Sequence, residues 1–325
     1  MQLKKIPILC IVILMISAAQ ANQTDFDLLL QQLRQGGINN IDKSINDLEK
    51  FTQSNHTNAK ALLLLADALM IRYQYKGQRN SDLHNALSTL NEAKEQAPNS
   101  DRILQKRALV YLNLGQLDKA SLDIEQALQL APNNLVASAL KIELLLANKQ
   151  NSKAESFAYE SLINWDRPAV PTAEYADVFF AAEQWQLALD FYQQLEDKNA
   201  HSFFRQGLCH EYLAQHRKAI NSYRKSLAKQ DQIDVRHRMI DLLLASEQIA
   251  AENKFPIALR ESRVLLLKNP QRADTWQLFA KLYEQQGNAS RALAAWINVR
   301  RFSNDEQYAF ANKRIDAFAS LPKMN

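Results

Sequence analysis

The chain has 325 residues, only 6 of them Gly and 8 Pro, with 47% hydrophobic and 23% charged residues. This balance excludes a disordered chain and one that is membrane-embedded over most of its length, and the scarcity of helix breakers favours an all-α fold. A net charge of +4 over this length does not point to nucleic acid, which calls for a clustered basic face.

The first segment is separate from the rest. Lys4 and Lys5 precede a nearly unbroken apolar run from Ile6 to Ala19, and Ala19-Gln20-Ala21 places small residues where a signal peptidase cuts. Residues 1–21 therefore read as a signal peptide cleaved after Ala21, which predicts a periplasmic or secreted protein starting at Asn22. The run is short for a membrane span, so no integral span is expected after cleavage; retention as an anchor is the alternative. Losing Lys4 and Lys5 takes the net charge from +4 to +2. Cys10 leaves too, and Cys209 then has no internal disulfide partner, so packing must supply the stability. The basic stretch Arg236-His237-Arg238 reads as a solvated helix face.

Residues 22–58 read as an irregular helical hairpin around Gly36-Gly37. A repeating pattern follows. From Asp101 to Asn134, Leu104, Ala108 and Tyr111 mark one helix face, Gly115 a turn, Ala120, Ile124 and Ala127 a second face, and Pro132 its end. From Ala273 to Glu306, Trp276, Ala280, Tyr283, Gly287, Ala292, Trp296 and Val299 recur at the same offsets. Weaker copies fill the intervals. Ala59 to Ser100 carries Ala66, Ala86, Ala93 and Pro98, with extra residues around Tyr73 to Asp82. Leu135 to Pro168 holds Leu145 and Ala154, and Ala169 to Asn199 holds Ala176, Phe179, Ala188 and Tyr192. Ala200 to Ile233 has Phe203, Gly207, Ala219 and Tyr223, and Asp234 to Arg272 has Leu244, Ala258, Leu265 and Pro270.

This pattern resembles the tetratricopeptide repeat family, whose unit is a helix-turn-helix of about 34 residues. The resemblance implies an all-α, right-handed α-solenoid of antiparallel helix hairpins. Small residues let the two helices of a hairpin approach, bulky ones fill the gap to the next hairpin, and Pro stops the second helix. The implied organisation is one array over 59–168, a second over 169–306, with a bend near Pro168 and Pro171, and a capping helix and tail over 307–325.

The residues offer little for catalysis, so no enzyme is expected. The glycines are taken up by turns, an insertion and the small position at Gly207, leaving none for a phosphate-cradling loop. No two of the six histidines are four apart, so no metal site is expected, and His210 falls at a packing position. No cofactor is implied.

The resemblance places a partner on the wall formed by the first helix of each unit. Carried over residue by residue, it nominates Asp67, Arg102, Gln105, Leu109, Asn113, Glu143, Asp177, Phe204 and Tyr212. The carboxylate clamp of some family members is broken, because its positions hold Leu63, Asp67, Lys106, Val136 and Leu140. The expected partner is a protein or peptide segment with apolar anchors, and no nucleic acid. The reading is an envelope scaffold; the alternative is a periplasmic chaperone or assembly factor for unfolded clients, as in cytochrome c, pilus or polysaccharide-export biogenesis.

Overall fold

The computed structural model describes residues 40–54, 58–77, 79–163, 165 and 169–319. The expected signal peptide, the expected Gly36-Gly37 turn and Pro168 lie outside the described residues. Sixteen helices and no strand occur among the described residues. They fall into two compact units, Met1–Phe191 and Tyr192–Asn325.

Unit 1 begins with α1 (Ile41–Ser54). Its hairpins follow as α2 (Ala59–Tyr75) with α3 (Asn80–Gln96), α4 (Asp101–Asn113) with α5 (Leu117–Leu130), and α6 (Leu135–Ala147) with α7 (Asn151–Leu162). The next hairpin is α8 (Ala169–Ala181) with α9 (Trp185–Gln194), and the unit boundary falls inside α9. Unit 2 continues with α10 (Ala200–Tyr212) and α11 (His216–Lys229), α12 (Ile233–Ala245) and α13 (Ala251–Lys268), and α14 (Ala273–Gln285) and α15 (Ala289–Phe302). It closes with α16 (Asp305–Ala319). Pro171 sits within α8.

Three local devices punctuate this series. First helices are capped by the residue before them: the side chains of Asn58, Ser100, Asn134 and Asn199 each accept from the backbone N–H three residues on. Second helices end two residues before Pro98, Pro132 and Pro270, since a residue ahead of proline is pushed out of the helical region. Between the helices of five hairpins one residue takes a positive φ: Gly115 and Gly287 at 70°, Lys149 at 60°, Glu183 at 61° and Ala214 at 55°. In each, the next residue's N–H reaches the carbonyl five residues back, as in Gln116 to Tyr111 at 2.8 Å and Gln215 to His210 at 2.7 Å. These bonds satisfy carbonyls the first helix leaves open.

Most of the extra residues near Tyr73–Asp82 are helical. They lengthen α2 and α3 to 17 residues each, whereas α4 has 13. The insertion in the second array forms the Ser246–Ala250 connection and extends α13 to 18 residues, with Pro256 inside it.

The small positions are where helices touch. Ala66, Ala86, Ala93, Ala108, Ala120 and Ala127 have no exposed surface. Gly207 shows the tightest approach: a Cβ there would lie 2.4 Å from Cε1 of Tyr223. In unit 2 the terminal core joins Phe279, Ala280, Ala295, Trp296, Val299 and Ala311, so α16 covers the last hairpin. Trp296 donates its indole N–H to Glu284 at 2.7 Å. Cys209 is fully buried, as expected of a small core residue.

Candidate protein-binding site

The first helices of unit 1 supply one wall. Its α2 end is covered, because Ala61 to Met70 are all buried. Asp67 is only 4% exposed and pairs with Lys106 of α4 at 2.6 Å. Gln105 is also buried and donates to Asp101 at 3.2 Å, while Asn134 donates to the same carboxylate oxygen at 2.9 Å. Leu109 is 2% exposed. Asn113 is half-buried and donates to the Leu109 carbonyl at 2.8 Å. Of the residues nominated on α2 and α4, Arg102 is the most open: it is exposed, with no partner among the described residues.

The wall opens toward α6 and α8. Glu143 of α6 is partly accessible, yet the protein around it is dense enough that burial pushes its carboxyl up to about 7. Glu174 of α8 is pushed up to about 7 by burial and then by the Asp177 carboxylate beside it. Its Oε1 is buried without a hydrogen-bond partner among the described residues. Asp177 and Phe180 are half-buried, and Phe180 meets Trp185 edge to face at 5.1 Å. Accessible side chains whose charge is disfavoured by surrounding protein mark a recessed wall. Its open part is acidic, with Leu112, Leu146 and Phe180 as half-buried apolar neighbours.

In unit 2, Phe204 packs against Tyr223 at 5.9 Å, and Tyr212 stands 41% exposed. A polar network ties α10, α11 and α12 together. The Tyr223 hydroxyl donates to Glu211 at 2.6 Å, and Arg238 donates to both oxygens of that carboxylate at 3.0 and 3.1 Å. Burial and the Glu211 carboxylate raise Tyr223 far above the ordinary phenol range. Asp241 is exposed but raised by burial, and His237 is lowered by burial.

The stretch Arg236–Arg238 corrects the expectation of a solvated face. Arg236 is buried and paired with Glu261 and with Asp231, the latter at 2.8 Å. His237 and Arg238 are half-buried. His210 has the packing role expected of it: it is buried, shares a 3.0 Å bond with Gln215, and is lowered by burial. No group of three metal-ligating side chains occurs among the described residues, and no described helix is long and apolar enough to cross a membrane.

Sequence reasoning read Lys106 only as part of a broken clamp and missed Glu174. Both occupy the sixth place of a first helix, a place the carry-over did not nominate. Glu174 lies three residues before Asp177, a spacing that puts two side chains on one helix face, and that signal was available.

The comparisons agree with this architecture. The sequence model of the family Tetratricopeptide repeat matches residues 102–134, the unit with the clearest pattern. Yeast Tom70 is similar in structure at 13% identity, with a TM-score of 0.51, covering 86% of this chain and 58% of that one. A tetratricopeptide repeat protein from Parabacteroides merdae matches at 13% identity and a TM-score of 0.45, covering 91% of this chain and 97% of that one. PilF of Pseudomonas aeruginosa matches at 17% identity and a TM-score of 0.41, covering 66% and 97%. No curated protein matches significantly in sequence. Repeat register and capped hairpins give this chain a tetratricopeptide-type fold of helical hairpins, and residues 102–134 match the family's sequence model.

Proposed function

We propose that the protein is a non-enzymatic scaffold of the bacterial cell envelope that holds a protein segment against its first-helix walls. The fold itself implies protein–protein interaction. One observation carries the finer reading. Glu143 and Glu174 stand in the recessed wall of unit 1 with no cation in reach among the described residues, although the same wall does pair Asp67 with Lys106. Packing gains nothing from an unpaired, desolvated carboxyl. A Lys or Arg of a bound segment would supply the missing charge, and Leu112 and Phe180 would take its apolar neighbours. Export rests on Lys4 to Ala21.

The test is a photoreactive residue placed at Leu112 or Tyr212 in living cells, with mass spectrometry of the captured species. One dominant protein partner is expected from Leu112, attached to a chain beginning at Asn22. Glu143→Lys together with Glu174→Lys should reduce capture from Leu112 at least tenfold. A spread of unfolded clients would favour the holdase alternative. Capture of no protein would overturn the scaffold, and an intact Met1 would overturn export.

A further inference from the structure

The net charge of the chain conceals a segregation visible only once the hairpins are paired. The second helices of unit 2 are α11, α13 and α15. Together they carry twelve Lys and Arg against two Asp and Glu. The corresponding helices α3, α5 and α7 of unit 1 carry three against eight. The first helices α10, α12 and α14 of unit 2 are close to balanced, so the positive charge belongs to one side of each hairpin.

Helix α11 is the extreme case, with Arg217, Lys218, Arg224, Lys225 and Lys229 and no acidic residue. All five are exposed, and none has a carboxylate within hydrogen-bond reach among the described residues. Arg217 donates to the Gln248 carbonyl, and Lys225 lies over the Phe203 ring at 5.8 Å. This arrangement works against the helix. Arg217 and Lys218 occupy the first turn, where the macrodipole disfavours cations. Lys225 and Lys229 are four apart, a spacing at which like charges repel. Among the described residues only Arg217 and Lys225 have a partner within the fold, and only Lys229 sits where the macrodipole favours a cation, so an external anion would stabilise the set.

The stripe continues along the unit. On α13 the exposed side chains Arg260, Arg263 and Leu267 follow at helical spacing, and on α15 Ala294, Ile297 and Arg301 do. Arg260 remains 67% exposed while reaching Glu261, and Arg263 has no partner among the described residues. Leu267 is 85% exposed and Ile297 42%, both within the basic stripe. No aromatic ring is exposed on α11, α13 or α15, which removes the stacking platform single-stranded nucleic acid uses. Lysine and arginine interleaved with protruding aliphatic side chains suit phosphate headgroups over an acyl boundary.

We infer that the outer face of α11, α13 and α15 docks on an anionic phospholipid bilayer, which would leave the first-helix walls free for protein. The test is co-sedimentation of the full chain with vesicles of phosphatidylcholine alone or with one third phosphatidylglycerol, at low salt and at physiological salt. Apolar contacts contribute to both vesicle types, so the readout is the anionic-to-zwitterionic ratio of bound protein. A ratio of at least ten at low salt is expected, falling with salt. Arg224→Glu with Lys225→Glu should bring it near one, and Leu267→Asp should lower it severalfold with charged neighbours intact. Lys153→Glu, on α7 of unit 1, should leave it unchanged. Far-UV circular dichroism checks folding; if the double variant unfolds, Arg263→Glu takes its place. A ratio near one for the parent chain overturns the proposal, as does insensitivity to the α11 reversal. Tighter binding to duplex DNA or polyglutamate than to anionic vesicles, with Leu267→Asp silent, overturns it too.

Discussion

Glu143 is the residue whose surroundings make the clearest claim on solution behaviour. Its carboxyl is pushed up to about 7 by burial, from the ordinary value of 4.5 it has in the unfolded chain. The folded state therefore holds this proton more tightly than the unfolded chain does. That contribution to stability is complete below about pH 4.5 and is lost as the pH rises through 7. Above that, the folded protein carries an ionised carboxylate in a setting that disfavours it. Glu143→Gln removes the titration. Discounted for partial exposure, the variant should gain about 2 kcal/mol over its parent at pH 8 and almost nothing at pH 4. Urea unfolding at the two pH values measures this, and an equal offset at both would refute it. The same scale shows where sequence reading fell short. Arg236 looked solvated because its buried counter-charge is distant in the chain: Asp231 is five residues away, but Glu261 is 25 away and arrives only when α13 folds back. Asp67 was nominated for a partner, but Lys106 of the same unit already holds it.

Among the elements, the turn between paired helices is the most regular feature and the one most open to improvement. All five such turns place one residue in the left-handed region, but only Gly115 and Gly287 do so without a Cβ. An L residue there is strained by roughly 1 to 2 kcal/mol, offset in part by the backbone entropy glycine loses on folding. Ala214→Gly should therefore stabilise unit 2 by about 0.5 to 1 kcal/mol, and Gly115→Ala should destabilise unit 1 by a similar amount. Thermal melts read both, and a lower midpoint for Ala214→Gly would count against this account of the turn. The two clearest repeats were legible because bulky and small residues recur at fixed offsets and each turn has its glycine. The turns at Lys149, Glu183 and Ala214 were not legible as turns, because those residue types give no local sign of a positive φ. The lengthened α2 and α3 were missed for a related reason. The segment Tyr73–Asp82 contains Gly77 and read as extra residues without an assigned structure, and most of it continues two helices.

For the molecule as a whole, the helical series must end as well as repeat. Each hairpin buries its neighbour's apolar surface, so the last one needs a cover with a polar outer side. α16 supplies it through Ala311, Ile315 and Phe318, packed on the cluster around Trp296 and Val299. A chain ending after Asn304 should leave that cluster in water. Burial of this size is worth several kcal/mol, so the truncated protein should melt earlier and self-associate, as read by light scattering. A monodisperse truncated chain with an unchanged melt would show that α16 is not a cap. The all-helical class and the repeat register were open to sequence reading because they depend on local periodicity. Of the acidic part of one wall, Glu143 and Asp177 were legible and Glu174 was not. The basic side of unit 2 was not legible, because α11, α13 and α15 lie far apart in the chain and only the hairpin pairing gives them corresponding places.

Gly207 and Tyr223 have a consequence of another kind. The phenol ring occupies the volume where any side chain at 207 would begin, and its hydroxyl is held in place by Glu211. The two positions therefore make a single choice of volume. A larger residue at 207 becomes tolerable only after the ring at 223 has shrunk, and a smaller residue at 223 leaves a void that 207 can fill. Across relatives with this hairpin, the two sites should drift as one character, with small–large pairs exchanging for medium–medium pairs and large–large pairs missing.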